Sequence, residues 1–312
     1  MTTLITGGLG FIGLYTAQQL LDAGEDVVLT RHRRRTDPEF LAPEVGKRVF
    51  IEQLDVSDRE AVAGIGRRYE IDGICHLAGA GYSAPSLEAD FGSTMGGLIN
   101  VLSAASHWQV RKLAIASSIT VYAGIDTGPF REDMGLRTEA TSGPVETYKK
   151  VHEIVGTHYA ERSGLDVVFL RIGLIYGRQH RLGNIVGRLT RAALGTQPLE
   201  GEVYEDDSGD LCHVEDCARA IAALQLAPKL PQRIYNIGAG AAGTNRQVAD
   251  AIERAVPGAK LPLLPGSGPQ HRVDPYMDLT RIARDAGYAP KWKLEDGVQD
   301  YVAWLQKNPD AV

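Results

Sequence analysis

The chain has 312 residues, 44% of them hydrophobic and 23% charged, and a formal net charge of -6. It exceeds the roughly 250 to 300 residues at which one hydrophobic core usually stops growing, so one large domain or two intimate ones is expected. The composition is that of a soluble globular protein, and the acidic balance argues against nucleic acid and membrane surfaces as partners. In chain order, "TLIT" precedes a helical pattern over 11–23, "DVVLT" a loop, "VFIEQLD" a helix over 58–68 and "GICHLAG" a helix over 87–107. "KLAIASS" leads through a long connection, 123–146, to a helix over 147–163 and then "LDVVFLRIG".

Short β-branched runs alternating with helical patterns mark a parallel sheet covered by helices. The expected fold is α/β, a Rossmann-type doubly wound parallel sheet with a smaller C-terminal substrate lobe. The dinucleotide-binding domain is placed at 1–176, with 212–238 returning to it, and the substrate lobe at 177–312. That second half holds a helix from about 244 to 256, a Pro-rich stretch over 257–275 and two terminal helices. A connection as long as 123–146 inside a compact domain is usually functional.

No apolar run approaches the roughly 18 residues that cross a bilayer, and no basic or cleavage-type segment precedes the first strand. A cytoplasmic protein is expected. Cys75, Cys212 and Cys217 are an odd number in a large chain, which fits a reducing compartment. "CHVEDC" invites a metal reading, but it runs into the amphipathic helix "CARAIAALQLA", whose start would bury both thiols, so no metal site is expected.

"LITGGLGFIG" places Gly7, Gly10 and Gly13 between the first strand and the first helix, with Phe11 and Ile12 opening that helix. Glycines here allow a tight turn and close approach to a pyrophosphate, while the helix N-terminus offers free N–H groups. A dinucleotide site follows from this placement rather than from the glycines alone. The second strand ends at Arg31, where an acidic residue would bind a ribose 2′-hydroxyl. A guanidinium there instead suits a 2′-phosphate. With Arg33, Arg34 and Arg35 following, NADP(H) is favoured and NAD(H) remains allowed; the plainer reading of the arginines is a solvated basic loop. Asp55 and Val56 are expected near the adenine, and Leu77, Ala78 and Gly79 beside the nicotinamide ribose.

"TGGLGFIG", "LDV", "HLAG", "ASSITVYAG", a tyrosine opening a helix, "LRIGLIYG" and "HVEDCARAI" together resemble the extended short-chain dehydrogenase/reductases, also called the NAD-dependent epimerase/dehydratase family. The resemblance covers nearly the whole chain. It implies that Ser118 hydrogen-bonds a substrate oxygen and that Tyr148 exchanges the proton. The family's lysine, four residues after the tyrosine, binds the nicotinamide ribose and lowers the tyrosine pKa; here that position is His152. Lys149 and Lys150 are expected to face other directions on the helix.

The chemistry can be stated without the family. Hydride addition to a carbonyl needs the developing oxyanion stabilised and protonated, which a hydroxyl pair such as Ser118 and Tyr148 can do. Oxidation needs Tyr148 as a base, and phenolate at pH 7 costs about 4 kcal/mol from an unperturbed pKa near 10. A mostly neutral His152 helps less than a lysine. The site is therefore expected to suit reduction better than oxidation, with His152 as a ribose ligand; the alternative is a degenerate nucleotide-binding protein in which His152 only fills space.

Sugar-nucleotide members of the resembled family carry an asparagine where this chain has Leu174 and an arginine where it has Gly209. These departures favour a small organic substrate, although Arg178, Arg181, Arg188 and Arg191 could supply phosphate contacts. Ala80, Gly81, Tyr82, Ser118, Ile119, Thr120, Leu174 and Ile175 are the candidate substrate residues, with Tyr82 and Ile175 equally readable as packing. The favoured function is NADP(H)-linked interconversion of a carbonyl and a hydroxyl. The alternatives are a sugar or nucleotide-sugar epimerase or dehydratase with retained NAD, and a non-catalytic nucleotide sensor. The resemblance implies a homodimer through the helices at 87–107 and 147–163.

Overall fold

The computed structural model describes residues 1–32, 39–79, 86–140, 143–180 and 183–309. Its first half runs β1 (Thr2–Thr6), α1 (Phe11–Asp22), β2 (Asp26–Arg31), β3 (Val49–Gln53), α2 (Arg59–Arg68), β4 (Gly73–His76), α3 (Leu87–His107), β5 (Lys112–Ser118), α4 (Pro144–Ser163) and β6 (Val167–Ile172). The second half runs β7 (Leu174–Tyr176), α5 (Ile185–Ala193), β8 (Ser208–Gly209), β9 (Leu211–His213), α6 (Val214–Leu226), β10 (Ile234–Ile237), β11 (Gly243–Thr244), α7 (Asn245–Ala255), α8 (Thr280–Ala286) and α9 (Leu294–Lys307). A seven-stranded parallel sheet of order β10-β6-β5-β4-β1-β2-β3 forms the centre. This is the expected Rossmann-type α/β fold.

The core strands carry the continuous apolar runs that burial on both faces requires: β4, β5 and β6 are buried along nearly their whole length. One layer buries Leu14, Leu20, Val27, Leu29, Ile221 and Leu224 between α1, α6 and the sheet. The other buries Val62, Ile65, Leu98, Val101, Leu102 and Phe169 beneath α2, α3 and α4. A separate cluster around Leu189, Val248, Ile252, Val298 and Tyr301 holds α5, α7 and α9 together. Cys212 lies on β9 and Cys217 in α6, both fully buried and free.

Strand order reverses at β1, which pairs with β2 on one side and β4 on the other. In open α/β sheets the crevice outside the carboxyl ends of such a strand pair is where ligands bind. The segments after β1 and β5, and residues 77–79 after β4, leave the sheet at that end. The connection 123–140 is held from afar: Thr127 bridges Val273 and Phe130 bridges Met277.

Candidate active site

Gly7 turns the chain at the end of β1 with φ of +70°, and a Cβ there would come within 3.0 Å of the Ala78 backbone. At Gly13 a Cβ would meet the Gly7 carbonyl oxygen at 2.5 Å. Each glycine therefore answers a specific crowding between the turn, α1 and the end of β4. Gly10 is the N-cap of α1 and supplies no side-chain acceptor, so the first-turn N–H groups at Phe11, Ile12 and Gly13 have no side-chain partner from the cap. Thr30 Oγ1 accepts from the Gly7 N–H at 3.1 Å, and Thr6 Oγ1 lies 2.7 Å from His76 Nδ1. Leu77 packs onto the core and Gly79 is exposed beside it.

Arg31 ends β2 half-exposed and its side chain makes no hydrogen bond or ion pair among the described residues. Asp55 accepts from the Ser57 N–H and hydroxyl at 2.9 and 2.7 Å and pairs with His32 at 3.2 Å. Val56 is turned against α3, where a Cβ on Gly97 would come within 2.8 Å of it. Its side chain packs there, so only its backbone is left to face a cofactor. Arg33, Arg34 and Arg35, and likewise Ala80, Gly81, Tyr82 and Arg181, lie outside the described residues.

Ser118 ends β5, and its oxygen accepts from Thr120 N and Thr120 Oγ1 at 3.2 and 3.0 Å. With its lone pairs engaged this way, the hydroxyl proton is left to donate outward. Ile119 and Thr120 open a 3₁₀ turn, Ile119–Tyr122, that packs against α4. Leu174 is 41% exposed on β7, whereas Ile175 is buried among core residues because successive strand side chains alternate. Ile175 packs in the core, the second of the two places considered for it.

Tyr148 lies on the first turns of α4 and is 6% exposed. Its hydroxyl donates to Asp90 Oδ2 at 2.7 Å, and the ring lies 5.9 Å from Phe91. Burial first, and then the Asp90 hydrogen bond and charge, push the phenol up to about 12. His152, one turn along, is 1% exposed with both ring nitrogens buried and without partners among the described residues. Its ring stacks 6.5 Å from His76. Burial, then the Lys149 charge, then His76, hold it down at about 3, so it is neutral.

Lys149 departs from the expectation that it faces away. Its ammonium donates to the Ala116 carbonyl at 2.7 Å, and its charge depresses both His152 and His76. Burial lowers it to about 8. The four-carbon stem carries the charge well away from the direction of its own Cβ, which the helical-wheel argument left out. Lys150 does turn elsewhere, donating to the Arg137 and Ala140 carbonyls at 2.6 and 2.7 Å.

Two polar residues were missed. Asp90 and Thr94 sit one turn apart on α3, and Asp90 Oδ1 and Thr94 Oγ1 are buried without partners among the described residues. They continue the stripe of Leu98, Val101 and Leu102 by steps of three and four, so polar residues on a buried stripe were the available signal.

Of the phosphate-side arginines, Arg178 pairs with Asp300, Arg188 donates to the Glu200 carbonyl and Arg191 donates to the His180 carbonyl at 3.3 Å. Among the described residues no group of three or more His, Cys, Asp or Glu side chains is arranged to hold a metal, and no helix is long and apolar enough to cross a membrane.

A glycine turn at the strand reversal, with a serine, a tyrosine and buried polar atoms that lack partners among the described residues beside it, is the arrangement of a dinucleotide-binding α/β fold. The profile of the NAD dependent epimerase/dehydratase family matches residues 3–238, and the chain belongs to this family of enzymes. It is 27% identical to the UDP-glucose 4-epimerase of Lacticaseibacillus casei over 99% of this chain and 98% of that one. It is 26% identical to UDP-glucose 4-epimerase 2 of Arabidopsis thaliana over 99% and 96%. The fold superposes on the UDP-glucose 4-epimerase of Bifidobacterium longum, solved with NAD+ and UDP, with a TM-score of 0.85, 23% identity and full coverage of both chains.

Proposed function

We propose that the protein is an epimerase: it oxidises a secondary hydroxyl of a sugar-type substrate transiently and returns the hydride to the same carbon, keeping its nicotinamide dinucleotide bound throughout. The observation that carries this reading is the full-length match to 4-epimerases, which includes the lobe after β7 as well as the dinucleotide-binding half. NAD is the first cofactor to test on the same ground, and this places the epimerase reading ahead of the reductase favoured by the sequence alone.

The residues present fit a nicotinamide dinucleotide. A buried His152 with both nitrogens unpartnered among the described residues is costly unless something supplies the missing bonds, and ribose hydroxyls would supply them. The Gly7–Gly13 turn and the start of α1 would receive the pyrophosphate. When bound, the dinucleotide supplies hydride acceptance and return. Ser118 would donate to the substrate oxygen and Tyr148 would exchange its proton.

The NADP(H)-linked carbonyl reductase is the second reading. Arg31 favours it, being unpartnered at the end of β2 among the described residues. The engagement of Arg178 and Arg188 also weakens the case for a diphosphate-bearing substrate. We also propose a homodimer through α3 and α4.

The test is to identify the nucleotide released on denaturing the purified protein and to incubate the protein with UDP-glucose and UDP-galactose and with unactivated sugars. Retained NAD with interconversion of a 4-epimer pair is expected. Freely exchanging NADPH, with binding lost in Arg31→Ala, would replace this reading by the reductase. Nucleotide binding without turnover of sugars or carbonyls would leave a sensor.

A further inference from the structure

We propose that Asp90 is the group through which Tyr148 exchanges its proton. As a substrate hydroxyl is oxidised, its O–H proton passes to the Tyr148 oxygen while the Tyr148 proton passes to Asp90 Oδ2. The carbon-bound hydrogen leaves with its electron pair to the oxidised nicotinamide, the carbon–oxygen bond becomes a carbonyl, and Asp90 becomes a neutral acid. Return of the hydride reverses both proton movements. The proposal rests on the transient-oxidation reading above and assigns its proton path.

Three observations converge on it. The Tyr148 hydroxyl donates to Asp90 Oδ2 at 2.7 Å, a well-formed hydrogen bond. The other oxygen, Oδ1, is buried and unpartnered, and no cation pairs with Asp90 among the described residues. A structural carboxylate in a first helical turn would normally serve the helix end, but Ser86 already caps α3 by accepting from the Ala89 N–H. Asp90 is turned to α4 instead. On the helix that bears Tyr148, Lys149 is bonded to the Ala116 carbonyl and His152 is neutral.

The pair also resolves a difficulty in the chemistry. A free phenolate at Tyr148 is disfavoured at pH 7, because burial raises the phenol above its ordinary value even before the Asp90 hydrogen bond and charge are added. In the relay Tyr148 is a neutral phenol before and after the step, and the charge that changes is on the carboxylate. The lysine that would stabilise a phenolate is then not needed.

The experiment is a titration of ¹³Cζ-labelled tyrosine by NMR in the unliganded protein, with Tyr148 assigned through Tyr148→Phe. Wild-type Tyr148 should stay protonated to about pH 10.5, and Asp90→Asn should lower its titration by about a unit or more, since the raising charge is gone. In turnover, the wild type should show an acidic limb and a neutral plateau. Asp90→Asn should lose about 10²-fold at pH 7 and recover as pH rises. Asp90→Glu, which keeps the carboxylate, should retain the acidic limb. An unchanged Tyr148 titration in Asp90→Asn overturns the proposal, as does neutral-pH turnover within about threefold of wild type. Absence of turnover in every protein, with the Tyr148 titration shifted as expected, would instead sink the epimerase reading and leave the Tyr148–Asp90 coupling standing.

Discussion

At the scale of single residues, the substitution of histidine for lysine is better understood together with Lys149. A lysine ammonium offers three donors and no acceptor, whereas a neutral imidazole offers one of each. His152 is kept in that neutral form by burial first, then by the Lys149 charge and His76. Replacing Lys149 by methionine keeps the stem and removes the charge. His152 and His76 should then titrate higher, by on the order of one unit, with burial still holding them below an exposed histidine. Long-range ¹H–¹⁵N spectra of the imidazoles read this directly, and unchanged titrations would mean that burial alone sets them. Ser118, Tyr148 and His152 could be put forward from the sequence because they follow a motif and a helical spacing, whereas the Asp90 contact with Tyr148 spans 58 residues and no local pattern encodes it.

At the scale of elements, α4 is fixed to the sheet by a buried polar network. Arg171 on β6 donates from Nε and Nη2 to Glu153 at 3.0 and 2.7 Å, and Ser117 on β5 donates to the same carboxylate at 2.5 Å. Arg171 Nη1 reaches the Tyr122 hydroxyl at 2.9 Å, which in turn donates to Asn236 on β10 at 2.8 Å. This arrangement sets the distance between the end of β5, where Ser118 sits, and the helix bearing Tyr148. Glu153→Gln leaves the buried Arg171 charge uncompensated and should cost about 3 to 5 kcal/mol in urea unfolding. Replacing the pair together, Glu153→Leu with Arg171→Met, should recover much of that loss. A single variant as stable as wild type would show that the network does not anchor α4. The helices over 87–107 and 59–68 were readable to within a residue from their periodicity. The connection 123–146 was readable only as a loop, since its bridges to Val273 and Met277 are pairings across the chain that no local pattern encodes.

At the scale of the whole molecule, the strand reversal at β1 gathers the site at one edge, and α3 and α4 form a wall beside it. That wall exposes large apolar side chains: Phe91, Ile99 and Ile154 are 45%, 45% and 63% exposed. Phe91 and Ile99 are two turns apart on α3, and α4 packs alongside. Burying an isoleucine fully is worth about 2 kcal/mol, so a two-fold interface that repeats these residues from each copy gains several such contributions. Because Phe91 lies against Tyr148, the same interface would shield the Tyr148–Asp90 pair from water, which strengthens their hydrogen bond. Light scattering should therefore give twice the chain mass at micromolar concentration. Ile154→Arg, on the exposed face and outside the site, should give a monomer with unchanged helical circular dichroism. A wild type that is monomeric at tens of micromolar, or an Ile154→Arg variant that still dimerises, would move the interface elsewhere or remove it.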